Sequence, residues 1–183
     1  MSRTIRMVLP LFVIVLLFAS CNGRVNRVSW REGHGRSQVY LEKITESNYK
    51  LHMVNSDGER SSWELPYPVY RFDYGNIWGD STPEIVVGVE KSTRFDPVVR
   101  RRLFVYRIAD NRYIRPLWLG SRMGYPLYDF RVDRSCTPAR VRTVEQKASE
   151  SFLVSEYEWR GFGLKFVSHI EQDIRKEQAM RAL

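Results

Sequence analysis

The sequence predicts an all-β domain of antiparallel sheets with one short helix at its C-terminal end. Three observations lead there. The chain carries 5 Trp, 10 Tyr and 9 Phe beside frequent Val and Ile, residue types suited to a pleated, half-buried surface. From residue 38 onward apolar and polar side chains alternate with period two, interrupted at intervals by short turns. Finally, stretches about fifty to sixty residues apart echo one another in order, as stacked structural units do. A chain of 183 residues with 43% hydrophobic content is long enough for one cored domain preceded by an export segment.

That export segment is the first element. MSRTIR supplies Arg3 and Arg6 without an acid, and MVLPLFVIVLLF follows as an unbroken apolar run. Such a run is too short to span a bilayer comfortably and suits the apolar region of a signal peptide. It ends in Phe18-Ala19-Ser20-Cys21. Small residues at the two positions before a cysteine resemble the bacterial lipobox, with Phe18 where that pattern prefers Leu. The resemblance implies cleavage after residue 20 and a diacylglycerol on the Cys21 thiol. The next residues, Asn22-Gly23-Arg24-Val25-Asn26-Arg27, lack the second-position Asp that resembles an inner-membrane retention signal. They also lack the acidic run that resembles a surface-export signal in Bacteroidota lipoproteins. By these resemblances the expected location is the cell envelope, lipid-anchored, in the outer membrane and facing the periplasm.

With Cys21 acylated, Cys136 has no cysteine left to pair with, so no disulfide framework is expected. Cys136, in VDRSCTPAR, reads as an inert thiol in a loop. Removing Arg3 and Arg6 with the leader lowers the formal charge from +8 to +6. Export sets nucleic acid aside as a partner despite this basic balance, which then suits lipid head groups, lipopolysaccharide phosphates or acidic glycans.

Residues 21–37 read as the lipidated cysteine and a polar, Gly-containing tether, with one short strand around Val28–Arg31. QVYLEKITESNYKLHMV then predicts a hairpin turning at Glu46-Ser47-Asn48, and ERSSWELP a further strand after the turn Asn55-Ser56-Asp57-Gly58. YPVYRFD starts another strand. PEIVVGVEKS is near-continuously apolar, the pattern of a strand covered on both faces. RRLFVYRI and RYIRPLWLG flank Ala109-Asp110-Asn111, and FLVSEYEW and LKFVSHI flank Arg160-Gly161-Phe162-Gly163. These strands make residues 38–169 the β-repeat domain. Residues 170–183 have helical spacing, with Ile170, Ile174 and Met180 as an apolar stripe.

The echo is clearest between YPVYRF at 67–72 and YPLYDF at 125–130. PEIVVGVE at 83–90 pairs more weakly with PARVRTVE at 138–145, and LFVYRIADNRYIRPLW with LVSEYEWRGFGLKFV. Within the first copy, NIWGDSTPEIVVGV resembles one blade of the FG-GAP/VCBS-type repeats, whose general turn is Asp-x-Asp-Gly-Asp-Gly-x-Pro-Asp/Glu before a buried strand. The resemblance implies two propeller-blade-like four-stranded units plus a partial first one. So few units close no propeller. Two antiparallel sheets packed face to face are therefore expected, with a closed barrel of about eight to ten strands as the alternative.

In that family the acidic turn positions often hold calcium. Here they fall on Asn76, Trp78, Asp80 and Glu84, and Trp78 supplies no oxygen to an ion that wants six to eight. The turn is therefore read as structural, with Gly79 free to take positive φ and Asp80 able to make an Asx bond. No metal, cofactor or catalytic residue is assigned. His34, His52 and His169 are scattered, and Glu42, Glu84, Glu90 and Asp96 form no dyad that spacing can identify.

One stretch stands out for binding. KSTRFDPVVRRRLFVYR carries Lys91, Arg94, Arg100, Arg101 and Arg102 around Asp96, read as a loop whose guanidinium groups suit phosphate or carboxylate. Tyr74, Trp78, Trp118 and Trp159 are candidates for a sugar-stacking face. The function expected is that of a non-enzymatic, membrane-anchored envelope lipoprotein that binds or scaffolds an envelope protein. The alternative is a binding module for an anionic glycan or lipid head group through residues 91–102. The whole resembles small Bacteroidota lipoproteins, a resemblance that carries no activity with it.

Overall fold

The structure, a computed structural model, describes residues 26–94, 96–120 and 122–183. Twelve strands and one helix follow in order. β1 (Arg27–Glu32), β2 (Gly35–Thr45), β3 (Asn48–Val54) and β4 (Arg60–Leu65) form the first sheet. β5 (Val69–Gly75), β6 (Glu84–Thr93), β7 (Asp96–Ala109) and β8 (Tyr113–Leu119) form the second, and β9 (Leu127–Asp133), β10 (Arg140–Gln146), β11 (Phe152–Arg160) and β12 (Gly163–Ile174) the third. Each strand pairs antiparallel with its sequence neighbour, so every sheet is a simple meander. Helix α1 (Lys176–Arg181) closes the chain.

The all-β class and the antiparallel pairing are as the sequence predicts, and three finer expectations change. The strands close no barrel among the described residues, and there are three sheets rather than two. The first unit is not partial: β1 pairs with β2 from Arg27↔Tyr40 to Glu32↔Gly35, and β4 pairs along β3. Most of the presumed tether is therefore strand. Its polar residues face solvent while Val28 points into the core, and Gly33 makes the turn with φ 56°. The C-terminal helix is shorter than residues 170–183. β12 runs on to Ile174, and Asp173 takes φ 53° while accepting from Lys147 Nζ at 2.9 Å and Ser151 Oγ at 3.1 Å.

The second sheet lies between the other two. On β6, Ile85, Val87 and Val89 pack toward the first sheet while Val86 packs toward the third. On β7, Phe104, Tyr106 and Ile108 face the first, and Leu103 and Val105 the third. The continuous apolar run of PEIVVGVE follows from this double burial. On the outer face of the third sheet, α1 buries Ala179 against Val144, Phe152 and Val154.

The two junctions differ in chemistry. First and second sheets meet mainly through apolar side chains. Between second and third, β5 and β9 add polar ties: Asp73 Oδ2 accepts the Val132 N–H at 2.8 Å and Asp73 Oδ1 accepts Arg134 Nη1 at 2.7 Å. The Arg71 guanidinium also grips both oxygens of Asp129. Of the charges in the echoed YRFD and YDFR, Arg71 and Asp129 therefore meet directly, whereas Asp73 is met by Arg134 just beyond the second motif.

Gly88 shows how tightly this junction is packed. A Cβ there would lie 2.5 Å from Tyr70 Cζ and 2.8 Å from Phe130 Cε1, two rings already in edge contact at 6.3 Å. Gly88→Val is expected to cost about 1–3 kcal/mol through overpacking, read as a lower urea midpoint. An unchanged midpoint would show that the Tyr70 ring yields freely.

Candidate functional site

Cys21, the expected lipid attachment, and the leader before it lie outside the described residues. Cys136 is a half-buried free thiol in the β9–β10 turn. Among the described residues no three His, Cys, Asp or Glu side chains are grouped to hold a metal ion.

The turn before β6 is built from the side chains first considered as calcium ligands. Asn76 Oδ1 accepts the Gly79 N–H at 2.8 Å, and Asp80 Oδ1 accepts the Thr82 N–H at 3.0 Å. Glu84 is buried, and its Oε2 accepts the N–H groups of Ile77 at 2.8 Å and Trp78 at 2.9 Å. Burial raises the Glu84 carboxyl above its ordinary range against the pull of those backbone donors. Gly79 takes φ 99°, the left-handed backbone the turn requires. The oxygens aimed at these N–H groups hold the turn together.

The basic segment is strand rather than loop. β6 and β7 pair through Glu90↔Arg101 and Lys91↔Arg100 out to Thr93↔Asp96. The hairpin separates the five cations. Lys91 lies over the Tyr67 ring at 4.5 Å, toward the first sheet, and Arg94 is exposed at the hairpin end. Arg100, Arg101 and Arg102 instead line a cleft of about 240 Å³ on the other side. Arg101 donates to Glu90 Oε1 at 3.1 Å and to the Tyr128 carbonyl at 2.6 Å, with Tyr70 and Tyr128 under its plane. Arg102 is buried and donates to the carbonyls of Lys91 at 2.8 Å and Val98 at 3.1 Å.

The centre of the cleft is Asp96. Its Oδ2 lies 3.2 Å from Arg102 Nη2, 3.5 Å from Arg122 Nε and 3.7 Å from Arg100 Nε. Burial alone would raise this carboxyl, but the Arg102 hydrogen bond, the Val98 N–H and the Arg102 and Arg122 charges hold it below its ordinary value. Three guanidinium groups therefore share one carboxylate oxygen. Arg100 and Arg122 keep exposed side chains at 46% and 71%, so the mouth carries uncompensated positive charge.

Arg122 belongs to the connector between β8 and β9, a segment without any periodic signal. The same connector forms one wall of a second cleft, of about 400 Å³, lined by Trp118, Tyr157, Leu164, Phe166 and His169. Of the aromatic residues singled out for stacking, only Trp118 reaches it. Trp78 and Trp159 rings contact each other at 5.5 Å, with Arg107 over Trp78, and Arg134 covers Tyr74. Glu145 anchors the connector from below. Fully buried, it accepts the Tyr125 N–H at 2.6 Å through Oε2, and the hydroxyls of Thr143 at 2.6 Å and Tyr157 at 2.8 Å through Oε1. Burial and the neighbouring Glu145 carboxylate push the Tyr157 hydroxyl up, and the Gly124 N–H donates to it at 3.3 Å.

What the site defines is a basic cleft and an aromatic cleft that share the wall formed by residues 122–125, on a stack of three β-meanders. Comparison with protein-family models, curated proteins and solved structures finds no match for this chain.

Proposed function

We propose that this chain is a non-enzymatic envelope lipoprotein, anchored through Cys21, that binds an anionic group in the arginine cleft. The anchor rests on Arg3 and Arg6, the apolar run and the Phe18-Ala19-Ser20-Cys21 sequence. The three meanders act as blade-like units that hold the cleft away from the membrane. One observation carries the binding reading: a single buried carboxylate oxygen is shared by three guanidiniums at the cleft mouth. Converging like charges raise one another's energy, and a phosphate or carboxylate entering between Arg100 and Arg122 relieves that repulsion with charge-assisted hydrogen bonds.

The test is a phosphate titration of the full chain in neutral phosphatidylcholine nanodiscs, at constant ionic strength against chloride. Inorganic phosphate is expected to raise Tm, since a ligand at 100 times its Kd adds about 2.7 kcal/mol of stability. Arg100→Ala combined with Arg122→Ala should abolish that rise. An equal rise in the double variant would defeat the proposal.

A second reading, docking of an envelope protein along β12, is favoured by Phe162 at 95% exposure on the β11–β12 turn and by exposed Ile170 on that edge. Three register shifts between β11 and β12 blunt the edge for strand addition, which leaves the cleft as the better-formed site.

A further inference from the structure

Resting on the anion-binding reading, we infer that the ligand is an acidic oligosaccharide lying across the β8–β9 connector. Its acid group sits in the arginine cleft and a neighbouring sugar ring lies in the aromatic cleft. The two clefts share one wall, Arg122, Met123, Gly124 and Tyr125, so a single ligand can reach both. The arginine side, at about 240 Å³, is smaller than the roughly 300–1,000 Å³ of ordinary small-molecule sites and suits one acid-bearing unit. The aromatic side, at about 400 Å³, has room for the next.

The aromatic half has the chemistry of a sugar subsite. Phe166 is 44% exposed yet held in place, with Tyr157 at 5.9 Å edge-on and His169 at 4.7 Å. A pyranose presents partly positive C–H groups on one face, which complement the negative face of an aromatic ring. Sugars also need hydrogen-bonding partners at the rim. His169 Nδ1 lies 3.0 Å from Ser155 Oγ, which leaves Nε2 without a partner among the described residues. Arg122, at 71% exposure, supplies donors to both halves. An acyl chain would use the rings but not these polar groups, and a free phosphate would use the arginines but not the rings.

The geometry predicts an affinity ratio. Trigalacturonate and galacturonate are titrated calorimetrically against the full chain in phosphatidylcholine nanodiscs, with glycerol phosphate as the soluble lipid head group. Trigalacturonate is expected to bind at least about tenfold tighter than galacturonate, because a tenfold gain needs only one modest ring contact. Phe166→Ala should bring that ratio to about one, and Phe166→Leu, which keeps bulk without a ring face, should do the same. If galacturonate and trigalacturonate bind equally in the wild type, the oligosaccharide inference falls while the anion site stands. If glycerol phosphate binds tighter than trigalacturonate, the ligand is a lipid head group and the inference is overturned. If none of the three binds, both readings fall together.

Discussion

Replacing Glu145 by Ala is expected to lower stability by roughly 3–5 kcal/mol and to weaken phosphate binding as well. The side chain is fully buried and accepts from three donors: the Tyr125 N–H and the hydroxyls of Thr143 and Tyr157. Thr143 retains a long contact to the Ser155 carbonyl at 3.5 Å, but Tyr125 and Tyr157 lose their acceptor. A buried donor left unsatisfied costs about 1–3 kcal/mol, and truncation of the side chain adds a cavity. Glu145→Gln keeps one oxygen for Thr143 and Tyr157 but turns an NH₂ toward the Tyr125 N–H, so about 1–3 kcal/mol is expected. Urea unfolding measures both losses. The binding effect follows because Tyr125 and Gly124, held through Glu145 and Tyr157, fix the wall that carries Arg122. A Glu145→Ala protein that unfolds like wild type would show that the connector is held by something else.

The position of Glu145 shows what the sequence could and could not reveal. In the echoed octapeptides it aligns with Glu90, yet Glu90 has 41% of its side chain exposed and Glu145 is fully buried. A repeat pattern carries strand order, whereas burial depends on which element folds over the strand end. Strand positions were readable for the opposite reason. Period-two alternation on β2 and β3 is set locally by the pleat, and the doubly apolar runs of β6 and β7 announced that they have a neighbour on each face. β1 was obscured because Arg27, Ser29 and Arg31 lie on its outward face and resemble a polar tether. At the other end, Ile170 and Ile174 have helical spacing, but Lys147 and Ser151 hold Asp173 in the backbone turn that ends β12.

The candidate site was half legible for a related reason. Arg100, Arg101 and Arg102 are consecutive and advertise themselves, although alternation along β7 gives them different neighbours. Arg122 joins them only because the β7–β8 meander returns the chain to the same place, a consequence of topology that no local pattern encodes. Phe166, His169, Tyr157 and Trp118 come from three strands in two sheets. Each one separately reads as an ordinary strand aromatic or a scattered histidine.

Phe104→Ala is expected to cost about 3–5 kcal/mol, the range for removing a buried aromatic ring, and the loss should be distributed unevenly. Phe104 is 2% exposed on the β7 face that meets the first sheet, with Tyr67 edge-on at 5.9 Å and 86°. At that junction the partly buried contact between the Tyr67 and Tyr106 hydroxyls is long, at 3.4 Å, and the other polar ties are peripheral. Ser61 Oγ donates to the Arg112 carbonyl and Glu59 lies 3.4 Å from Arg112, both exposed and therefore weak. The second–third junction instead keeps Asp73 on the Val132 N–H and Arg71 on Asp129 even if its apolar packing loosens. The first sheet should therefore become the part that opens first. In native-state hydrogen exchange, the amides of Leu51 and Met53 should lose more protection than those of Val141 and Val154. Equal losses in the two groups would mean that the three sheets unfold as one unit, and the contrast between an apolar and a tied junction would then have no energetic consequence.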